Sequence, residues 1–422
     1  MSRDRIQLPS DHRVDRTFNS SMEFLTDSSS MNDDAQLWVM ATLAFTVSYS
    51  NYMVPPLIPA FSREFSVPPQ QLSWLIAGYL IPYGTSTLVF GALSDWRGRA
   101  PTLAALLCSA AMTLLMVSFA GSWRALVVAR ILSGVGCGGI VTLVIAIVGD
   151  RYPYAIQGRP MGRTFGGIAA GIGFGSTLGS LLNSIVGWRN EFRALACVCG
   201  VGAIFICRNA LSDIGVNVRP GFTRVIGEYV VILEIPRGGR TVAFIFCNGA
   251  FHGGIFAWLG LLLTHRYHLH DTGIGLALAG YGLPGIMLGA TIGGWADRYG
   301  RRYVVPIGFL WAAGCAFLLV PHSPRFTAAL VITALSVGFD ATHPLMSSIT
   351  TSLDPKHRGQ ITGFATFANF VGMGAGALFF QHLIAFGFSV ALAVFASAQS
   401  LLAIAAFYSF RGERPRRACE AK

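Results

Sequence analysis

From Ile361 to Phe410 the chain contains no Asp, Glu, Lys or Arg. A run of this length has no polar face to turn toward water as a soluble helix. It is long enough for two passes through a hydrocarbon core, at about 20 residues each. Backbone amides in lipid must bond within their own segment, so each pass is expected to be helical. Similar apolar runs occupy 36–60, 72–94, 101–121, 124–149, 162–187 and 192–212, and then 240–264, 273–295, 303–321, 327–351, 361–384 and 387–410. Only 12% of residues are charged, against about 25% in soluble domains, which excludes a soluble enzyme. The expected fold class is an all-α integral membrane protein with twelve transmembrane helices in two pseudo-symmetric six-helix bundles.

The chain divides on this reading into five parts. Residues 1–35 form a polar, disordered cytoplasmic tail without the apolar core of a cleavable signal. Residues 36–212 form the N-terminal half, 213–239 a cytoplasmic connector, 240–410 the C-terminal half and 411–422 a basic cytoplasmic tail. Of the 31 basic residues, 24 fall on the side of the termini, six on the other side, and Arg130 lies inside a span. That bias predicts both termini in the cytoplasm of a bacterial inner membrane. The net charge of +11 is spread between apolar runs, so no nucleic-acid partner is expected. Seven of the eight cysteines lie in apolar runs and none has zinc-ligand spacing, so neither a metal site nor a disulfide framework is predicted.

The two halves carry a repeated loop. Gly91-Ala-Leu-Ser-Asp95-Trp-Arg-Gly98-Arg99 returns as Gly293-Gly-Trp-Ala-Asp297-Arg-Tyr-Gly300-Arg301, 202 residues later at each matched position. Repeats of this kind imply a pseudo-twofold axis along the membrane normal and a cavity between the halves. The loop resembles the signature between the second and third spans of the major facilitator superfamily, and the resemblance extends over residues 36–410. It implies the major facilitator fold and transport by alternating access. Asp95 and Asp297 are expected to cap helices of the opposite half that start near Ile361 and Met161. The loop arginines are expected to pair with Asp150, forming a cytoplasmic latch.

In span four, Arg130 precedes Ser133-Gly134-Val-Gly136, similar to a second signature of the family. An arginine at depth costs about 3 kcal/mol on insertion scales. It is read as a cation beside the cavity, tuning a protonatable partner or holding an anionic substrate, or else as a side chain snorkelling to the membrane edge. Gly134 to Gly139 also spells G-x-G-x-x-G, but no strand precedes it, so no dinucleotide is expected. Span five carries Gly162, Gly171, Gly175 and Gly179 at the spacing of the signature of drug:proton antiporters. Ser176 and Ser180 stand where that signature has proline and glycine. The plainer reading is a glycine-rich interface with span eight.

Asp340 is the only acid read as deep within a span, and His343 lies three residues on, toward the same helix face. Burial disfavours the charged form of a carboxylate, which suits such a group to proton loading. Span one carries no acid and offers Asn51 and Tyr52 as its cavity candidates, and His252 in span seven is a further one. Tyr79, Tyr83, Phe251 and Trp258 are expected mainly to pack. His265, His268, His270 and Asp271 cluster in a loop, more plausibly wet than metal-binding.

No catalytic constellation occurs, so no enzyme activity and no cofactor are expected, and the proton gradient is the expected driving force. The expected function is proton-coupled efflux of a small amphipathic compound or metabolite. The alternatives are a proton symporter importing an organic anion or sugar, and a non-transporting membrane sensor. The expected partners are a small-molecule substrate and the lipid bilayer, with the protein acting as a monomer.

Overall fold

The computed structural model describes residues 34–152, 158–208, 233, 235–353 and 358–413. Most of the two tails and the connector lie outside these residues. The described residues are helical and include no strand. The first half comprises α1 (34–52), α2 (Val54–Phe65), α3 (Trp74–Arg97, preceded by a 3-10 turn), α4 (Arg99–Ser118), α5 (Trp123–Cys137), α6 (Ile140–Arg151), α7 (Gly158–Asn183) and α8 (Trp188–Arg208). The second comprises α9 (Pro236–Tyr267), α10 (Asp271–Ala277), α11 (Leu283–Tyr299), α12 (Arg301–Leu318), α13 (Arg325–Thr351), α14 (Arg358–Ile384) and α15 (Phe388–Ser409). Among the described residues, nine helical stretches are long and apolar enough to cross a membrane. The remaining predicted spans, one, eight and nine, coincide with α1/α2, α10/α11 and α12.

Three runs that read as continuous spans are broken. Span one breaks at Met53, ahead of Pro55 and Pro56, which cannot donate backbone hydrogen bonds. Span four breaks at the Gly138-Gly139 pair, where Gly139 has φ 93°. Span eight breaks between α10 and α11, ending at Gly282 with φ 89°. Hydropathy does not register such breaks, because proline and glycine leave an apolar run apolar.

The sequence repeat is also a repeat of backbone conformation. Gly98 and Gly300 share φ near +90° (95° and 89°) and separate α3 from α4 and α11 from α12. A side chain would strain both positions. Ser66 and His268, again 202 residues apart, close α2 and α9 with φ of 52° and 53°.

Contacts within each half include α4 on α8, α3 on α5, α9 on α14 and α12 on α15. The halves meet where α3 packs on α14, α2 on α9 and α10, and α7 on α10 and α11. Small residues allow these approaches. A Cβ at Gly84 would meet the backbone of Phe367 and the side chain of Phe370, and one at Gly260 would meet Pro55 and Pro56. Within the second half, buried polar groups pair with one another. Asn248 donates to the Thr342 hydroxyl (3.0 Å) and accepts from Gln399 (3.2 Å).

Candidate functional site

Two of the helix breaks face one cavity between the halves. Tyr52 and Ile172 reach it from the first half, and His252, Phe256, Tyr281, Phe339 and Asp340 from the second. The ring of Phe256 bridges the halves, 5.2 Å from Tyr52 and 4.7 Å from Tyr281, centroid to centroid. The cavity is about 30 Å³, which is space for water and not for an organic molecule. The site is therefore closed in this state.

Asp340 provides the cavity's charge. Its carboxylate lies against Gly285, where a Cβ would come within 2.8 Å of Oδ1 and 3.0 Å of Oδ2. Oδ2 is buried and has no hydrogen-bond partner. His252 is 3% exposed and neither of its ring nitrogens is bonded. Its ring meets Phe251 and Phe339 edge-on, each at 5.0 Å. His343 stacks on the same Phe339 ring (5.0 Å, 6°) and is not on the cavity wall. The histidine that shares the cavity with Asp340 is thus His252, from another helix. Asn51 is buried but also stands off the wall.

Arg130 is 1% exposed, so it does not snorkel. It is wedged between α3 and α5, its guanidinium 3.9 Å over the Tyr79 ring, with Nε donating to the Leu75 carbonyl (3.3 Å). Nη1 is buried without a partner. Arg130 does not line the cavity. Tyr79, Tyr83, Phe251 and Trp258 also stand off the wall. Tyr79 stacks on Tyr83, and the Trp258 indole donates to the Ala377 carbonyl (3.0 Å).

The glycines of α7 divide between two neighbours. Gly171, Gly175 and Gly179 lie flush against α1 and its break, where Cβ atoms would meet Phe45, Tyr49 and Met53. The face turned to α10 and α11 is built instead by Gly173, Thr177 and Ser180. The expected glycine interface with span eight is therefore largely an interface with span one, because the four-residue stripe and the polar stripe occupy different sides of the helix. Gly162 meets nothing within 4 Å. Ser176 donates back to the Gly173 carbonyl (2.9 Å).

At the signature-loop end, Arg99 Nε lies 2.5 Å from Asp150 Oδ2. In the repeat, Arg301 donates instead to the Ser348 hydroxyl (2.9 Å). Asp297 is exposed and engages no described residue, and residues 153–157, next to the helix start it was expected to cap, lie outside the described residues. The side chain of Asp95 lies outside the described residues. Gly91 and Gly293 have open space beside them.

Two acids stand out that the sequence reading did not single out as functional. Asp271, placed in a wet loop cluster, joins the halves at the end opposite the signature loops. Its Oδ1 accepts from Arg63 (2.7 Å), its Oδ2 from Asn183 (2.7 Å) and its backbone carbonyl from Ser180 (2.8 Å). Among the described residues no group of His, Cys, Asp and Glu could hold a metal. Glu191 is 5% exposed in the first turn of α8 and accepts from the Tyr49 hydroxyl (3.1 Å). Its neighbours Arg189 and Arg193 disguise it as a loop charge. The available signal was helical spacing, which turns residues two apart toward opposite sides.

Comparison with known proteins agrees with this architecture. A family model described as Major Facilitator Superfamily matches residues 40–270 and 241–422. The uncharacterized MFS-type transporter YceJ of Bacillus subtilis is 23% identical over 81% of this chain and 87% of its own length. The efflux pump dotC of Dothistroma septosporum is 28% identical over 68% of this chain and 46% of its own length. The crystal structure of a point mutant of the nucleoside transporter NupG superposes with a TM-score of 0.73 at 15% identity, covering 89% of this chain and 99% of that one.

Proposed function

The chain belongs to the Major Facilitator Superfamily, and from that premise we propose that it is a secondary active exporter working by alternating access. The exporter discharges a small amphipathic compound or metabolite in exchange for protons, using the proton gradient and no cofactor. It acts as a monomer in a bacterial inner membrane with both termini in the cytoplasm. The observation that carries the reading is the Asp340 carboxylate, with one oxygen unpartnered, in a cavity lined from both halves. An acid in that place can exchange a proton for a substrate as the halves rock. The aromatic walls suit an amphipathic body. A cytoplasmic latch built on Asp95 and Asp297 alternates with the Asp271 contacts at the other end, while the Arg99–Asp150 pair stays within the first half.

A second reading is a proton symporter that imports an organic anion or sugar. It is favoured by the unpartnered Nη1 of Arg130.

The test is a susceptibility and metabolite-accumulation screen of an overexpressing strain beside a matched Asp340→Asn strain, with and without an ionophore. An exporter lowers accumulation of its compound only while the gradient stands, and a symporter raises it. Full gradient-dependent transport by Asp340→Asn would sink the coupling role of Asp340.

A further inference from the structure

Glu191 is a buried acid with no cation beside it. One oxygen accepts from the Tyr49 hydroxyl, and the other is buried without a partner. The charged groups nearby are committed elsewhere. Arg189 on the same helix pairs with Glu64 of α2 and donates to the Ala120 carbonyl (3.0 Å). Arg193 donates to the Ser118 hydroxyl of α4 (2.9 Å) and to Asn190 (2.9 Å). Glu64 also accepts from the Trp188 indole (2.6 Å). The arginines of α7, Arg159 and Arg163, are at its far end, and so is Arg99 of α4. From α1 the titratable neighbour is Tyr49 itself. An ionised carboxylate removed from water without a counter-charge is costly, and a proton is the smallest cation that relieves it.

We propose that Glu191 is a second proton-binding site, read by α1 through Tyr49. The phenol donates to the carboxylate when the proton is absent and can accept from the carboxylic acid when it is present. The proton exchanges with the end of the molecule at which α8 begins, since Glu191 is in the first turn of that helix. The main chain at Tyr49 cannot move independently of α7, because it abuts Gly171 and Gly175. Three residues further along α1, Tyr52 lines the Asp340 cavity. One helix therefore touches both acids, and α8 supplies to α1 the carboxyl group that span one itself lacks. The inference rests on the proton-driven reading above.

The test is acid-to-alkaline infrared difference spectroscopy of the full-length protein reconstituted in lipid, which needs no substrate. Protonated carboxyl groups appear as carbonyl bands that vanish on deprotonation. One such band should disappear in Glu191→Gln, shift in Tyr49→Phe and persist in Asp340→Asn. Tyr49→Phe leaves the acid in place, so it serves even where Glu191→Gln folds poorly. A difference spectrum unchanged by Glu191→Gln, or a Glu191 band indifferent to Tyr49→Phe, overturns the proposal. If the Glu191 band is present but Asp340→Asn removes none, the inference stands and the role given to Asp340 fails.

Discussion

The carboxylate of Asp340 occupies the space that a Cβ on residue 285 would need, with Oδ1 2.8 Å and Oδ2 3.0 Å from that position. The acid is therefore held by a missing side chain on α11 and not by a hydrogen bond to Oδ2. Gly285→Ala must push the carboxylate away from α11. Misplacing a reacting group by about an ångström costs up to roughly a hundredfold in rate, so gradient-driven transport should fall at least about tenfold. The control is Gly289→Ala on the same helix, where a Cβ meets nothing within 4 Å. Equal transport by the two variants would show that Gly285 does not position the acid.

Asp271 ties its half to Arg63 and Asn183 of the other half. Arg63 is half-exposed, so that pair contributes at most about 1 kcal/mol. The bond from Asn183 to a carboxylate adds about 1.5 kcal/mol or more. Asp271→Ala should then shift the balance between states by roughly 2 kcal/mol, or about thirtyfold. Spin labels at Ile185 and Phe386, both exposed in loops of the two halves, would report this as longer electron–electron distances. An unchanged distance distribution would show that Asp271 does not hold the halves together.

The helices and their order were legible in the sequence because a hydrocarbon solvent leaves the backbone few choices. The repeat at Asp95 and Asp297 was legible because glycine is needed at Gly98 and Gly300, where φ is positive. The breaks at Met53, Gly139 and Gly282 were not, since an apolar run stays apolar through Pro-Pro or Gly-Gly. The cavity was legible only in part. Asp340 could be found as an acid at depth, but its partner could not be read from spacing along one helix. His343 shares its helix yet stacks on Phe339, while His252 reaches the wall from α9. Glu191 escaped notice because Arg189 and Arg193 flank it in the sequence, and its depth comes from the packing of α8 against α1.

The glycine stripe of α7 makes a contrast that can be measured directly. A Cβ at Gly175 would lie 2.8 Å from the Tyr49 carbonyl oxygen and 3.1 Å from its Cα. Backbone cannot yield as a side chain tip can, so Gly175→Ala should destabilise by about 1–3 kcal/mol. Gly162, with open space around it, should accept alanine with a change of under about 1 kcal/mol, from the unfolded chain. Thermal unfolding in lipid nanodiscs separates the two. Equal Tm values would contradict a close α1–α7 contact.

Arg130 is engaged chiefly by two groups on α3, the Leu75 carbonyl and the face of Tyr79. Lysine keeps the charge but loses the planar stack and the Nε donor. Arg130→Lys should therefore lower stability by roughly 1–2 kcal/mol, the scale of a desolvated cation–π contact with a hydrogen bond. Tyr79→Leu should cost a similar amount, and the double variant should cost less than the two together. The shortfall in a double-mutant cycle, about 1 kcal/mol, measures the contact itself. If the shortfall were zero, the arginine would not depend on Tyr79, and its buried position would have to come from its remaining contacts. If Arg130 served only to hold a substrate, Arg130→Lys would weaken ligand binding and leave the unfolding temperature of the empty protein unchanged.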